Sequence, residues 1–119
     1  MIIDLPFPHK LLWPNGSRGS PRAVNGEVKK HKSWAHIATC GAGNAARNAV
    51  ALADAPIPIA IEVCPKPRGP LPDADNCSAA AKAYLDGIAL RLEINDRHFA
   101  APTITFGPRT SRFIIKVGP

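Results

Sequence analysis

Residues 57–67, IPIAIEVCPKP, contain the clearest strand signal in the chain and decide what kind of fold the sequence forms. Every second residue of its first part is a branched apolar one: Ile57, Ile59, Ile61 and Val63. A period of two is typical of a β-strand that buries one of its faces. Pro65 and Pro67 end the strand, because proline has no N–H to give to a sheet.

Two helix candidates flank this strand. Residues 76–94, NCSAAAKAYLDGIALRLEI, are the stronger one, because their apolar residues recur at the spacing of one buried helical face: Ala81, Tyr84, Leu85, Ile88 and Leu92. The other is residues 33–53, SWAHIATCGAGNAARNAVALA, in which Gly41 and Gly43 favour an interruption. Residues 15–27, NGSRGSPRAVNGE, are rich in turn-forming residues and predict a loop before it.

Further strands are predicted towards the two ends of the chain. Residues 2–8, IIDLPFP, are β-prone until the prolines stop them, and residues 101–107 and 111–118 indicate a hairpin or strand pair. The order β–loop–α–β–α–β–β predicts one α/β (α+β) domain over residues 1–119, with a small mixed sheet of about four strands and two main helices. The core of so short a chain is modest, so we expect an oligomer.

The charge balance favours a polyanionic partner. The chain has 15 Lys and Arg against 9 Asp and Glu, a net charge of +6 and a pI near 9.7. Such an excess suits nucleic acid or an anionic membrane surface. No apolar run approaches the ~20 residues of a membrane span, and the start, MIIDLPFPHK, does not resemble a signal peptide. We therefore expect a cytoplasmic protein that binds nucleic acid and no membrane.

Lysine and arginine residues are concentrated in two places. Seven of them are candidates for contacts with DNA phosphates: Arg18, Arg22, Lys29, Lys30 and Lys32 in the first place, and Lys66 and Arg68 in the second. Phosphate contacts give affinity without reading sequence. For the first group, a merely solvated surface is the alternative. Trp13 and Trp34, on either side of it, either stack on an unpaired base or pack beneath the loop.

Residues 70–78, PLPDADNCS, hold two carboxylates two positions apart behind a stiff, proline-rich segment. One interpretation is a helix cap, in which Asp75 or Asn76 satisfies free N–H groups and Asp73 is solvated. The other is a metal site: in an extended segment Asp73 and Asp75 point to the same side, and Mg²⁺ prefers oxygen ligands. Because capping needs only one carboxylate, both interpretations stay open.

Two further residues extend the metal-site hypothesis. Asp96 follows the second helix and supplies a third acid, although an Asn-Asp pair is also common in turns. Lys82 lies seven residues after Asp75, close to two helical turns, so its charge could reach a phosphate held near the acids. The alternative for Lys82 is an exposed pair with Asp86 at i+4, which contributes little stability.

Several short motifs give the chain a resemblance to the RusA-type Holliday-junction resolvases. They are LPFP at 5–8, DADN at 73–76, LDG at 85–87 and NDRHF at 95–99, and the similarity runs from about residue 3 to residue 117. The resemblance implies a small homodimeric endodeoxyribonuclease, often of phage or prophage origin, that uses Mg²⁺, with Mn²⁺ possible. It also implies that Asp73, Asp75 and Asp96 form the catalytic acidic cluster and that the substrate is a four-way DNA junction of recombination and repair.

The chain departs from the family pattern at two positions. Ala79 stands where family members commonly have a lysine, so Lys82 is the candidate catalytic replacement, and Asn95 stands where a further Asp is often found. A straight helix over residues 76–93 would also separate Asp75 from Asp96 by about 25–30 Å. Either the helix breaks near Gly87, or the two subunits share each site. The alternatives to the enzyme are a non-catalytic nucleic-acid-binding protein and a degenerate junction binder.

Overall fold

One mixed four-stranded sheet organises the chain in the computed structural model, which describes residues 1–15 and 19–119. The strands are β1 (Ile2–Pro6), β2 (Ile59–Cys64), β3 (Thr103–Phe106) and β4 (Arg112–Val117). They lie in the order β1-β4-β2-β3. Strand β4 is antiparallel to both of its neighbours, while β3 runs parallel to β2. The predicted mixed sheet of about four strands and the α+β class are therefore confirmed.

The predicted pairing of the last two strands is wrong. β3 and β4 lie on opposite sides of β2, where Ile61 is aligned with Ile104 of β3 and with Ile115 of β4. Burial explains this order. Strand β4 has three fully buried apolar residues and takes an interior position, whereas β3 is largely exposed and forms an edge. The hairpin was predicted only because β3 and β4 are adjacent in the sequence.

The described residues form four helices where two were predicted. They are α1 (Pro21–Cys40), α2 (Asn44–Ala51), α3 (Ala74–Ala80) and α4 (Lys82–Leu92), with 3-10 turns at Lys10–Leu12 and Asp96–His98. The predicted interruption at the glycines is confirmed, since Gly41 caps α1 and Gly43 has φ +92°. None of the helices in the described ranges is both long and apolar enough to cross a membrane.

Helix α1 begins twelve residues earlier than expected, so the predicted loop over 15–27 is wrong from Pro21 onwards. The side chain of Ser20 accepts a hydrogen bond from the Ala23 N–H at 3.2 Å, and Pro21 occupies the first helical position. Serine before proline is a helix-start signal. Gly26, which looked like a breaker, lies within the helix, where an added Cβ would have no atom within 4 Å.

Helices α3 and α4 are nearly continuous through Ala81. Its N–H donates to the Cys77 carbonyl at 3.0 Å, and its carbonyl accepts from the Leu85 N–H at 3.0 Å. The helical spacing of side chains therefore persists across the joint. The predicted buried face is confirmed, because each of its five members is at most 8% exposed: Ala81, Tyr84, Leu85, Ile88 and Leu92.

The core forms where α1 and α4 pack together and against the inward side chains of the sheet. Gly87 sets the approach of the two helices: an added Cβ would lie 2.2 Å from the Lys32 carbonyl oxygen. The Tyr84 hydroxyl donates to the Pro6 carbonyl at 2.6 Å and ties α4 to the end of β1. Buried His31 of α1 accepts the His9 N–H at 3.1 Å, which fixes the chain after β1.

Candidate active site

Asp73 and Asp75 lie at the start of α3, and both are exposed. Asp73 is the N-cap residue, but its side chain makes no capping hydrogen bond. Asp75 lies in the first helical turn, where the partial positive charge of the helix end favours a carboxylate. The expectation that an extended segment runs through both residues is wrong, because the helix already begins at Ala74.

The carboxylate of Asp73 affects the buried thiol that follows it. Burial, and to a lesser degree the negative charge of Asp73, raise the pKa of Cys77 to about 11. Cys77 is therefore protonated at neutral pH. A thiol attacks efficiently only as a thiolate, so this cysteine is not suited to be a nucleophile.

A cluster of ion pairs lies further along the chain, on α4 and in the turn that follows it. We call it the Lys82 cluster, and it consists of Lys82, Asp86 and Asp96. The Lys82 ammonium donates to Asp86 Oδ1 at 2.8 Å and also to Asp96 Oδ2. The i+4 pair considered for Lys82 is therefore present, but it is joined by the third acid that the sequence analysis had singled out.

A chain reversal after α4 brings Asp96 to this position. Glu93 adopts the left-handed conformation with φ 58°, and its N–H donates to the Leu90 carbonyl at 3.2 Å. The Ile94 N–H then donates to the Ala89 carbonyl at 3.1 Å. These contacts end the helix and direct the following 3-10 turn, with Asp96 at its start, back along α4.

Within the Lys82 cluster, the ammonium interacts favourably with each of the two carboxylates. The hydrogen bond to Asp86, followed by the one to Asp96, raises the pKa of Lys82. The hydrogen bond from Lys82 is the main cause that lowers the pKa of the Asp96 carboxyl. Lys82 is accordingly protonated and Asp96 ionised at neutral pH. Within one chain, the Lys82 ammonium faces Asp96 and not the acids at the start of α3.

Asp75, Lys82 and Asp86 are separated by seven and four residues, so they lie along one stripe of the joined helices. Asp86 is eleven residues beyond Asp75, which corresponds to about 16 Å along a helix axis. The break expected near Gly87 does not occur, because the reversal comes only after Leu92. The reversal shortens the gap between Asp75 and Asp96 without closing it. Residues 1–15 and 19–119 of one chain contain no group of three or more His, Cys, Asp or Glu placed to hold a metal ion.

The acids at the start of α3 nevertheless suit a hard cation. Neither Asp73 nor Asp75 forms an ion pair with another part of the described chain, and both carboxylates face solvent. Mg²⁺ commonly binds one or two carboxylates together with water and substrate phosphate. Two exposed carboxylates of the kind that bind Mg²⁺ therefore stand at the start of α3, with no third acid grouped with them in the described residues.

The four described members of the first basic group lie on helix α1, and of these only Arg22 belonged to the predicted loop. Arg22 and Lys29 are exposed on one face of α1, two turns apart. Lys30 pairs with Glu27 at 3.2 Å, and its ammonium lies 5.7 Å from the ring centre of Trp34. Lys32 lines a surface depression of about 300 Å³ together with the Lys82 cluster. Arg18 lies outside the described residues.

The second group, Lys66 and Arg68, is exposed in the loop that joins β2 to α3. The Arg109 guanidinium holds this loop by donating to the Lys66 and Gly69 carbonyls, each at 3.0 Å. Gly69 has φ +107°, a conformation that favours glycine. Both basic residues therefore stand on a braced loop that leads directly into Asp73.

Sequence reasoning treated Asp86 only as a surface partner and missed its place beside Asp96. The Lys82–Asp86 spacing could have indicated the pair, but the third contact depends on the reversal at Glu93. Trp13 is half-buried and stacks on Phe7 with ring centres 5.1 Å apart. Trp34 is 37% exposed.

Comparison with models of known protein families and with curated proteins finds no match for this chain.

Proposed function

We propose that this protein is a Mg²⁺-dependent endodeoxyribonuclease that resolves four-way DNA junctions by paired, symmetric nicks. One observation carries the proposal: the Lys82 ammonium, which lies on the same helical stripe as Asp75, bridges Asp86 to Asp96 in a chain of net charge +6. Acids gathered on one line of an otherwise basic protein suit a metal-assisted reaction on a phosphodiester.

Each residue in this proposal has a role that follows from its position. Asp73 and Asp75, with Asp96, would hold Mg²⁺ or Mn²⁺, which when bound supplies a polarised phosphate and an activated water. Lys82 would stabilise negative charge on the phosphate. The reaction is hydrolysis without a covalent intermediate, in keeping with the protonated state of Cys77.

The basic residues would position the DNA. Exposed Arg22 and Lys29 on α1 are placed to contact one arm, whereas Lys32 lies beside the Lys82 cluster. Lys66 and Arg68 precede Asp73 and would guide the strand that is cut. Contacts of this kind bind phosphates without reading bases, which suits recognition of DNA shape.

A homodimer would complete the site. In a twofold dimer with antiparallel α3–α4 helices, the start of one helix lies beside the end of the other. Asp73 and Asp75 of one subunit would then meet Asp96 of its partner, which brings together acids that form no single group within the described residues of one chain. Two such sites related by a twofold axis match the two opposing nicks that junction resolution needs. We place this activity in the cytoplasm, in DNA recombination and repair.

A non-catalytic junction-binding protein is the second candidate, and one observation favours it. In the described chain the Lys82 ammonium already neutralises Asp96, an interaction that a metal would have to displace. Such a protein would bind branched DNA through its basic helix and loop and leave the phosphodiester intact.

The deciding experiment incubates the protein with a labelled four-way junction and with a linear duplex of the same sequence, in Mg²⁺ or EDTA. Paired nicks in the junction alone, abolished by EDTA and by Asp75→Asn, are the expected result. Asp54→Asn removes an equally exposed carboxylate away from α3 and is the matched control. Tight junction binding without cleavage in Mg²⁺ and in Mn²⁺ would contradict the nuclease and favour the second candidate.

A further inference from the structure

A pocket of about 280 Å³ opens between the segment that follows β1 and the loop that follows β2. It is separate from the depression beside the Lys82 cluster. Pro72, the residue directly before Asp73, forms part of its lining. The pocket therefore adjoins the acidic end of the proposed nuclease site.

One wall of the pocket is aromatic and held in place. Phe7 and Trp13 stack with an interplanar angle of 18°, and Phe113 packs edge-on against both rings. The Trp13 Nε1–H donates to the Pro8 carbonyl at 3.0 Å. Because each ring has a fixed neighbour, this wall is formed before any ligand arrives.

The opposite wall is the braced loop of residues 65–72. Besides the two bonds from Arg109, the Ser111 N–H donates to the Pro65 carbonyl at 3.0 Å. Proline side chains from this loop complete the apolar lining. The pocket thus has two fixed walls, one contributed by aromatic rings and one by proline rings.

The rim of the pocket is positively charged. Lys10, Lys66 and Arg68 line it, and none of the described residues that line it is acidic. All three cations are exposed, and the Lys66 ammonium lies 5.7 Å from the ring centre of Phe7. An apolar aromatic wall with cations at its mouth complements a ligand that has a flat ring at one end and a phosphate at the other.

We propose that this pocket binds one unpaired nucleotide of the DNA substrate, with the base against the aromatic wall and the phosphate at the basic rim. This inference rests on the proposed function in its choice of ligand, since the bound nucleotide belongs to the DNA strand that passes Asp73. Four-way junctions have bases at their centre that can unstack. A base bound in this pocket would anchor the DNA strand close to Asp73 and Asp75, because Pro72 of the lining directly precedes Asp73.

The test measures binding by Trp13 fluorescence in a Trp34→Phe variant, in EDTA, so that no cleavage is required. The probes are inorganic phosphate, 2-deoxyribose 5-phosphate, thymidine 5′-monophosphate and a five-residue thymidine oligonucleotide. We expect saturable quenching by the nucleotide and the oligonucleotide, with affinity at least about tenfold above that for the base-free phosphates. Calorimetry on the unaltered protein checks the same ranking independently of Trp34→Phe.

The double variant Lys66→Ala/Arg68→Ala should weaken oligonucleotide binding at least about tenfold. Lys116→Ala together with Arg97→Ala removes equal charge from exposed positions that do not line the pocket and should leave binding within about twofold. Equal affinity for base-free phosphate would overturn the proposal, because the site would then be an anion patch. Binding of the mononucleotide without the oligonucleotide would assign the pocket to a free nucleotide instead. A nuclease that proves inactive leaves this measurement unchanged, so failure of the proposed function and failure of the pocket are distinguishable.

Discussion

At the scale of single residues, Lys82 is the most informative position because it contacts two carboxylates at once. One acid follows it by four residues and belongs to the same helix, so the sequence could indicate that pair. The other is fourteen residues away, and its contact depends on the left-handed conformation of Glu93. Residue spacing does not indicate that a glutamate adopts the left-handed conformation. The Lys82–Asp96 contact could therefore not be predicted from the sequence.

The Lys82 cluster gives a prediction about pH. In Lys82→Met, the pKa of the Asp96 carboxyl should rise towards its ordinary value near 3.9, because its main stabilising partner is gone. The lowered pKa in the unaltered protein means that the interaction stabilises the fold above that ordinary value. The stabilisation is lost as pH falls through the lower, folded-state pKa. NMR titration of the Asp96 side-chain carboxyl measures this directly.

Lys116→Met is the control for that titration, since Lys116 is an exposed lysine on β4 that pairs with neither acid. In this variant the pKa of the Asp96 carboxyl should stay as low as in the unaltered protein. An unchanged Asp96 titration in Lys82→Met would mean that the Lys82–Asp96 contact does not persist in solution.

At the scale of secondary-structure elements, the sequence predicted every strand but placed one helix start and one pairing wrongly. Strand β2 and the buried face of α3–α4 were predicted correctly from the spacing of apolar residues, because those residues occupy the buried positions of an element. Residues 21–27 were misassigned because the turn-forming residues of the stretch, Gly26 among them, were given more weight than the start signal at Ser20 and Pro21. The β3–β4 pairing failed because neighbours in a sheet are selected by buried area, which local sequence does not reveal.

The contact between α1 and α4 gives a prediction about stability. Gly87→Ala should lower the free energy of unfolding by about 1–3 kcal/mol, because its Cβ would collide with the Lys32 carbonyl and push the helices apart. Urea unfolding followed by circular dichroism, at one fixed protein concentration, measures the change.

Gly26→Ala is the matched control, since it makes the same substitution inside a helix of the same pair. An added Cβ at Gly26 meets nothing within 4 Å. This variant should gain about 0.5–1 kcal/mol from the better helix propensity of alanine. Equal effects of the two substitutions would contradict the close approach at Gly87.

At the scale of the whole molecule, the proposed shared site predicts complementation between two inactive variants. Asp75→Asn and Asp96→Asn subunits are unfolded, mixed and refolded together, and nicking of a labelled junction is measured. If sites are shared, each mixed dimer retains one intact site, so nicking should return to about a quarter of the level of the unaltered protein. The nicks should be single rather than paired.

Each variant refolded alone is the control and should remain inactive. A mixture no more active than either variant would place all three acids of a working site in one subunit. That result would require a rearrangement of α3–α4 on DNA binding, because Asp73, Asp75 and Asp96 do not form one acidic group within the described residues of a single chain.

The position of β4 in the sheet has a consequence for how the protein is made. Of the four described strands, β1 leaves the ribosome first and has β4, which leaves last, as its one neighbour in the sheet, with Ile3 opposite Ile115. Throughout translation of the residues between them, β1 has no partner and β2 lacks its antiparallel neighbour. The helices can form as they emerge, but the sheet closes only once residues 112–117 are free. Such distant pairing slows folding and leaves strand edges unprotected in the nascent chain.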